Sequence, residues 1–503
     1  METFLLIVAL AVAATAYWPI LHSYFFKDDL LCLFRLANDG VGALMAEPGG
    51  GHLALVRNGV FALFHWLFGL RAEWYFASVL ATHLLNVALL FVVLRRLTGS
   101  AWLACAAAAL WGACPVLEGA LGWYAVYGQV LGATCLLAVL VSLAGYVRAR
   151  RMTDGWTAAG WLAALVVGAA CFGTGIAAAV VFPVVAILVG GRRGFSGPAR
   201  RVLYAIPLAV AVVFAAKVVQ ERFAAPDLPV EAILLGGMAV SIPAVLAMTG
   251  HLVGTGAVAL LTGGPFGGLE YPHLGAIVVL IAAALLVGGA GVRCRREERR
   301  VLAAWLVLAV ATYGIVAAGR ALLFRAFGFS LVQAAAEPRY HYAATVPITM
   351  VLAMAIRQFA TGRLRVVVAS VVVTLAAAGA VRSSQRIDLH EEARREVGRA
   401  LEELQAAAAR VPPGGVVVIQ NHPLQSTGVM MRLAEGVPFP GLLGVFVIFF
   451  PDDAIDGRPV RFAVLPGSPA HAIRTGRTPH LVLAPLATRR RGDGTPHTPG
   501  TAA

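Results

Sequence analysis

Apolar runs of about twenty residues recur along most of this chain, and they indicate that it folds in a lipid bilayer. After the first run, METFLLIVALAVAATAYWPILHSYF, they fall at 75–95, 101–118, 128–147, 157–173, 175–190, 202–219, 274–292, 301–319, 341–358 and 365–381. Of the 503 residues, 59% are hydrophobic and only 13% are charged. We therefore predict an all-α polytopic membrane protein with about 11 to 13 transmembrane helices.

Two apolar segments need separate treatment. The first lacks a basic n-region and a small-residue cleavage site, so we interpret it as a retained span and not as a signal peptide. The segment 231–263 is apolar but interrupted by glycine and proline. It is open whether this segment forms two short spans or lies at one surface.

The basic residues occur in short clusters between the apolar runs, at 95–96, 148–151, 191–201, 293–300 and 357–365. Lysine and arginine in short loops accumulate on the cytoplasmic side, and a cytoplasmic Met1 places every cluster there. The formal charge of +14 thus indicates membrane topology and not nucleic-acid binding. The predicted location is a plasma membrane or bacterial inner membrane, with the N-terminus cytoplasmic.

The chain changes character after residue 381. A helical segment, RIDLHEEARREVGRALEELQAAAAR, ends at VPPGG, and three strand-like runs follow: VVVIQ, LLGVFVIFF and RPVRFAVLPG. We predict a transmembrane domain at 1–381, a small extracytoplasmic α/β domain at 382–485 and a disordered tail at 486–503.

Several soluble-enzyme signatures are absent from the sequence. It contains no P-loop, no GxGxxG motif between a strand and a helix, no HExxH and no GxSxG. The six cysteines are scattered without a CxxC pair, so neither a disulfide framework nor a zinc site is indicated. No cofactor is assigned, and a divalent metal is left open.

Four polar motifs fall on the predicted outer face. They are YFFKDDLLCLFRL after the first span, HLALVRNGVFALFHWLFGLRAEWYFASVLATHLLN, the turn CPVLEGALGWYAVYGQ, and EPRYHYAATVP at the start of a late span. In their order and spacing they resemble motifs of the GT-C superfamily, polytopic glycosyltransferases that use polyprenyl-phosphate sugars. Protein O-mannosyltransferases and the aminoarabinose transferases of lipid A are members.

This resemblance implies transfer of a sugar from a polyprenyl-phosphate donor in the bilayer to an extracytoplasmic protein, lipid or glycan, at a first outer loop spanning 24–74. A partly desolvated carboxylate can act as general base, and Asp28 is our candidate, with Asp29 orienting the nucleophile or an ion. Arg57 and Arg339 would hold the departing phosphate. The remaining predicted substrate-binding residues, which would hydrogen-bond the sugar, are Glu118, Tyr124, Gln129 and Tyr340.

Each of these residues also has a plain structural interpretation. Acidic residues after a span solvate its end, and an isolated arginine near a span end often snorkels to the interface. For His83 and Asn86, inside an apolar run, we predict hydrogen bonds between helices. The alternative function is a transporter, a flippase or a non-catalytic binding protein for lipid-linked glycans.

Overall fold

The structure is a computed structural model of the whole chain. It describes residues 1–25, 28–29, 32–33, 36, 40–46, 53–224, 242–262, 273–326, 329–408 and four short strands within 416–483. The tail predicted at 486–503 lies outside the described residues.

Sixteen α-helices are present in these described ranges. In chain order they are α1 Glu2–Tyr17, α2 Gly40–Ala46, α3 Leu55–Phe68, α4 Ala72–Thr98, α5 Ala101–Gly112, α6 Glu118–Leu121, α7 Tyr127–Arg148, α8 Gly155–Cys171, α9 Gly173–Gly190, α10 Gly197–Ala224, α11 Ile242–Thr262, α12 Leu274–Arg293, α13 Arg296–Ala326, α14 Leu331–Ala336, α15 Tyr342–Phe359 and α16 Gly362–Ala408.

Ten of the helices in the described part of the chain are long and apolar enough to cross a membrane, or eleven if the bent pair Ala101–Gly112 and Pro115–Leu121 is one span. The predicted helical membrane fold is confirmed. The predicted run 157–173 forms α8, a shorter apolar helix of 17 residues. The sequence left open whether the segment 231–263 crosses the membrane. Helix α11 in this segment has the length and hydropathy expected of a span, whereas residues 231–241 lie outside the described residues.

Local sequence explains where the helices end. Gly99 adopts φ 70°, the left-handed conformation that commonly terminates a helix, and the Ser100 hydroxyl accepts the Leu103 N–H to begin α5. Asp154 caps α8 in the same way by accepting the Thr157 N–H at 2.8 Å. Such caps satisfy N–H groups that a helix start leaves unpaired, and they allow the chain to reverse direction between spans.

The arginine clusters meet at one end of the spans. Each of the five clusters supplies an arginine to one cavity, namely Arg96, Arg148, Arg192, Arg300 and Arg357. A crossing helix changes side, so the number of crossings between two clusters on one face is even. Between the clusters at 148–151 and 191–201 lie α8 and α9, of which α9 has the length of a span and α8 has 17 residues, so a crossing by α8 stays a prediction. The clusters share one face as predicted, and the compartment that this face meets stays a prediction.

The chain divides into two compact units. The first comprises Met1–Phe25 with Asp39–Arg395, and the second comprises Phe26–Asn38 with Glu396–Ala503. In the first unit, α9 packs most extensively on α13, and α4 packs against α5 and α7. Helix α16 continues without a break past residue 381, where we predicted the membrane domain to end. The predicted domain boundaries themselves stay predictions.

The second unit contains a four-stranded mixed sheet. Its strands are β1 Val416–Ile419, β2 Phe446–Phe449, β3 Arg461–Val464 and β4 His480–Leu483, in the order β2-β3-β1-β4. Strand β1 pairs in parallel with β3 and β4, and β2 pairs antiparallel with β3. The three strand-like runs of the sequence each contain one strand, and β4 is an addition. The extracytoplasmic location of this unit stays a prediction.

Candidate functional site

Residues Cys114–Gln129, which we call the central turn, comprise the connection from α5 to α7 and the first three residues of α7. Pro115 opens a 3-10 turn there, and Pro115–Leu121 bends 50° from α5. Proline is tolerated at the first helical position but lacks the N–H that would continue the preceding helix. A second 3-10 turn, Tyr124–Val126, leads into α7. The central turn is therefore an irregular, buried segment that presents backbone carbonyls to its neighbours.

Arg57 reaches the central turn from the first turn of α3. Its Nη1 donates to the carbonyl of Ala125 at 3.0 Å, and its Nε donates to Asn58 Oδ1 at 2.8 Å. Asn58 is itself fixed, because its Nδ2 donates to the carbonyl of Leu44 at 2.7 Å. Within the described residues Arg57 has neutral partners and no carboxylate. It is a positive charge held in a defined position and still able to accept an anion.

Arg339 reaches the same turn from the 3-10 turn Pro338–Tyr340. Its guanidinium carbon lies 5.0 Å from the centre of the Trp123 ring and 5.1 Å from that of Tyr340. Glu337 lies 3.6 Å from its Nε. The side-chain amide of Gln129 donates to the Arg339 carbonyl, which ties the start of α7 to this segment. The structure thus brings Arg57 and Arg339 to residues two positions apart in the central turn.

Gly119 allows the segment 337–340 to approach the central turn closely. A Cβ at this position would lie 2.5 Å from the Arg339 backbone nitrogen and 2.7 Å from the Pro338 carbonyl carbon. These distances are shorter than any ordinary contact, and both atoms belong to backbone that is held at each end. Glycine is therefore required for the observed contact.

Tyr124 is fully buried at the centre of an aromatic cluster. Its ring centre lies 5.0 Å from that of Phe61, 4.9 Å from that of Tyr75 and 5.2 Å from that of Tyr127. Edge-to-face and stacked pairs at these separations hold an aromatic segment rigid. This environment gives Tyr124 a structural role, and its predicted hydrogen bond to a sugar stays a prediction.

The other predicted residues occupy different environments. Glu118 is half-buried at the start of α6, and Tyr340 is buried. Gln129 is fully buried, and its Oε1 accepts no hydrogen bond within the described residues. Asp28 is half-buried and Asp29 is buried, and both belong to the second unit. The convergence of this acidic pair with Arg57 and Arg339 therefore stays a prediction.

Arg394 is a third arginine on the central turn, and our sequence analysis missed it. Its Nη1 donates to the carbonyl of Gly122 at 2.6 Å, to Glu391 Oε1 at 2.7 Å and to Ser23 Oγ at 3.3 Å. Burial raises the pKa of Glu391, while Arg394 and a hydrogen bond from Ser23 oppose the rise. The spacing of Glu391 and Arg394, three residues apart on a helix, is the signal that was available.

Behind the turn, buried polar side chains join α4 to α15. His83 Nδ1 lies 2.8 Å from the Tyr342 hydroxyl and its Nε2 lies 2.9 Å from the Gly112 carbonyl. Asn86 Nδ2 donates to the Val130 carbonyl at 3.0 Å. The predicted helix-to-helix hydrogen bonds of His83 and Asn86 are confirmed. Their observed role is to fix the spans that carry the central turn.

The described residues contain no group of three or more His, Cys, Asp or Glu side chains placed to hold a metal ion. The question of a divalent metal therefore stays as open as the sequence left it. The chemistry available in the described part of the site is that of fixed guanidinium groups, amides and carboxylates.

Fold and site together define a polytopic α-helical integral membrane protein in which arginines from three helical regions surround one turn. No protein-family model matches the chain, and no curated protein matches it. A crystal structure of ArnT from Cupriavidus metallidurans bound to undecaprenyl phosphate is similar to it, with 16% sequence identity, a TM-score of 0.41 and 86% of each chain covered.

Proposed function

We propose that this protein is a membrane glycosyltransferase that transfers a sugar from a polyprenyl-phosphate donor to an acceptor hydroxyl or amine. The observation that carries the proposal is the meeting of three guanidinium groups on residues 122–125. Arg394 binds the Gly122 carbonyl, Arg339 lies over Trp123, and Arg57 binds the Ala125 carbonyl. A departing lipid phosphate requires such fixed cations, because negative charge develops on it in the transition state.

The three arginines would divide this task unequally. Arg57 has no carboxylate partner within the described residues, so its charge is the most available to a phosphate. Arg339 and Arg394 are each paired with a glutamate, at 3.6 Å and 2.7 Å. We assign Arg57 and Arg339 to phosphate binding, and we assign Arg394 to holding the turn on which both act.

The catalytic base in this proposal is Asp28, supported by Asp29. It would remove a proton from the acceptor as the acceptor attacks the anomeric carbon, and the bond from that carbon to the phosphate oxygen would break. Direct attack of this kind inverts the anomeric configuration. Glu118, Gln129 and Tyr340 would hydrogen-bond the sugar, and the buried Gln129 Oε1 supports this assignment. Tyr124 would position the central turn, and its hydroxyl would form a hydrogen bond with the sugar.

The test is a transfer assay with the full-length protein in nanodiscs, using labelled polyprenyl-phosphate sugars and a panel of acceptors. We expect Arg57→Gln to reduce transfer about 100-fold or more. Arg71 is an exposed arginine in the loop between α3 and α4. Arg71→Gln is therefore the matched control, and we expect it to retain activity. Equal rates for the two variants at equal protein level would contradict the assignment of Arg57.

Asp28→Asn addresses the base directly. We expect a loss of roughly 100-fold or more, with Asp388→Asn, an exposed carboxylate, as the control. Full transfer by Asp28→Asn would exclude Asp28 as the base. Binding and transbilayer movement of the lipid-linked sugar without any transferred product would instead favour the transporter alternative.

A further inference from the structure

The arginine-rich face of the first unit contains a cavity of about 1140 Å³. Eight arginines and two glutamates line it: Arg96, Arg148, Arg150, Arg151, Arg192, Arg193, Arg300, Arg357, Glu297 and Glu298. Ligand pockets usually measure about 300 to 1,000 Å³, so this volume is ample for an organic anion. The cavity lies at the opposite ends of the spans from the central turn and has no part in the proposed transfer.

Three of these arginines form the cavity wall. Arg96 donates to the Val141 carbonyl, Arg300 donates to Ile187 at 3.1 Å, and Arg357 donates to Leu97 at 3.1 Å. The Ile187 and Leu97 carbonyls lie in the last turns of α9 and α4, where the helix dipole is negative, whereas Val141 lies well before the end of α7. Arg300 and Arg357 offset that negative potential, and Arg96 is held by the Val141 carbonyl.

Five arginines remain for a ligand: Arg148, Arg150, Arg151, Arg192 and Arg193. All five are exposed, and within the described residues none has a carboxylate partner. Of the two glutamates, Glu298 is already engaged, since its Oε1 lies 3.5 Å from Arg357 Nη2 and its Oε2 accepts the Arg295 N–H at 3.2 Å. The cavity therefore has a strong excess of positive charge.

The loops that carry these arginines are fixed to each other. The Thr153 N–H donates to the Gly194 carbonyl at 2.8 Å, and the Ser196 N–H donates to the Thr153 carbonyl at 3.0 Å. Arg150 adopts φ 51° where α7 ends in a Schellman-type turn, in which the Arg151 N–H donates to the Tyr146 carbonyl at 3.1 Å. The two basic loops are therefore held in a defined arrangement around the cavity.

The position of the cavity indicates the source of that ligand. Its lining includes the ends of five predicted spans, so it lies at the depth where phospholipid headgroups meet the hydrocarbon. Apolar side chains share the lining, and Val147 and Met152 are 37% and 61% exposed. Apolar walls beside cationic ones suit a phosphate that carries acyl chains better than a free anion.

We propose that this cavity binds the phosphate headgroup of an anionic phospholipid from the adjacent leaflet. The exposed arginines would hold the phosphate oxygens through paired N–H donors. Val147 and Met152 would contact the glycerol and the first acyl carbons. The site is distinct from the proposed transferase site, so either proposal can fail without the other.

The test measures phosphatidylglycerol binding to delipidated full-length protein by native mass spectrometry, with phosphatidylcholine as the neutral lipid. We expect Arg150→Gln/Arg192→Gln/Arg193→Gln to weaken phosphatidylglycerol binding at least tenfold. The control, Arg295→Gln/Arg296→Gln/Arg299→Gln, removes equal charge from the same face outside the lining and should bind as wild type. Equal binding by both variants overturns the site.

A charge-conserving variant and a competition with inorganic phosphate complete the test. If the glutamine variant is not recovered folded, Arg150→Lys/Arg192→Lys/Arg193→Lys keeps the charge, and we expect several-fold weaker binding because the paired donors are lost. Unchanged binding by this variant overturns the site. Inorganic phosphate should not displace the lipid at millimolar concentration, and complete displacement would show a soluble-anion site instead. Equal binding of phosphatidylcholine would also overturn the proposal.

Discussion

His341, at the start of α15, is a buried histidine with hydrogen bonds at both ring nitrogens. Its Nε2 lies 2.9 Å from the Ala335 carbonyl, which can only accept, so this nitrogen carries the proton. Its Nδ1, 2.9 Å from the Tyr313 hydroxyl, is then the acceptor. Both ring nitrogens are therefore satisfied by hydrogen bonds within the protein.

This environment predicts that His341 stabilises the contact of α13 and α14 with the start of α15. Removal of the ring leaves the buried Tyr313 hydroxyl and the Ala335 carbonyl without these partners, which costs about 1 to 3 kcal/mol for each group. Thermal unfolding in detergent should occur at a lower temperature in His341→Leu than in wild type, with the exposed His22→Leu as control. Equal unfolding temperatures for wild type and His341→Leu would contradict the assignment.

At the scale of single elements, the central turn is the feature on which the candidate site depends. Its bend at Pro115 and its second 3-10 turn, Tyr124–Val126, follow from local sequence. Its contact with the segment 337–340 depends on Gly119, which has no room for a side chain. The turn and the 337–340 segment therefore act as one unit only while that position remains glycine.

Gly119→Ala should separate these two segments. The added Cβ would lie 2.5 Å from the Arg339 nitrogen, and relief requires a backbone shift that costs about 1 to 3 kcal/mol. We expect a lower unfolding temperature, together with weaker binding of a polyprenyl phosphate. Gly160→Ala is the matched control, because a Cβ there meets no atom within 4 Å and alanine favours a helix. A wild-type unfolding temperature for Gly119→Ala would show that the observed contact is not tight.

At the scale of the whole molecule, the common cavity of the arginine clusters fixes which loops share a side of the membrane. The loops at 148–151, 191–194 and 295–300 lie on one side. We predict that residue 330 lies on the other side, because α13 between them is long and apolar enough to cross a bilayer. This arrangement holds whichever compartment each side faces.

Labelling with a membrane-impermeant thiol reagent checks this arrangement. In a cysteine-free background we expect Arg150→Cys, Arg193→Cys and Arg295→Cys to react from the same side, and Ser330→Cys to react from the opposite side. All four positions are exposed or close to exposed loops, so each should be reachable once its side is accessible. Reaction of Arg295→Cys and Arg150→Cys from opposite sides would refute an even number of crossings between them.

The sequence alone determined the membrane class, the approximate spans and the common side of the arginine clusters. It could do so because hydropathy over about twenty residues and charge in short loops are local properties. It also marked Arg57, Gln129 and Arg339, since their motifs lie near span ends. It missed Arg394, because a charged helix after the last span is ordinarily solvated and no local pattern reveals a distant partner.

Only the tertiary structure decided that Arg57, Arg339 and Arg394 meet on residues 122–125, because their contacts join segments far apart in sequence. It likewise placed Tyr124 in an aromatic cluster and gathered arginines from five loops into one cavity. Such contacts depend on the packing of whole helices, in which the position of one span is set by all of its neighbours. Local sequence therefore determines where each helix ends and whether it lies in the membrane. The packing of the helices determines which polar groups face one another.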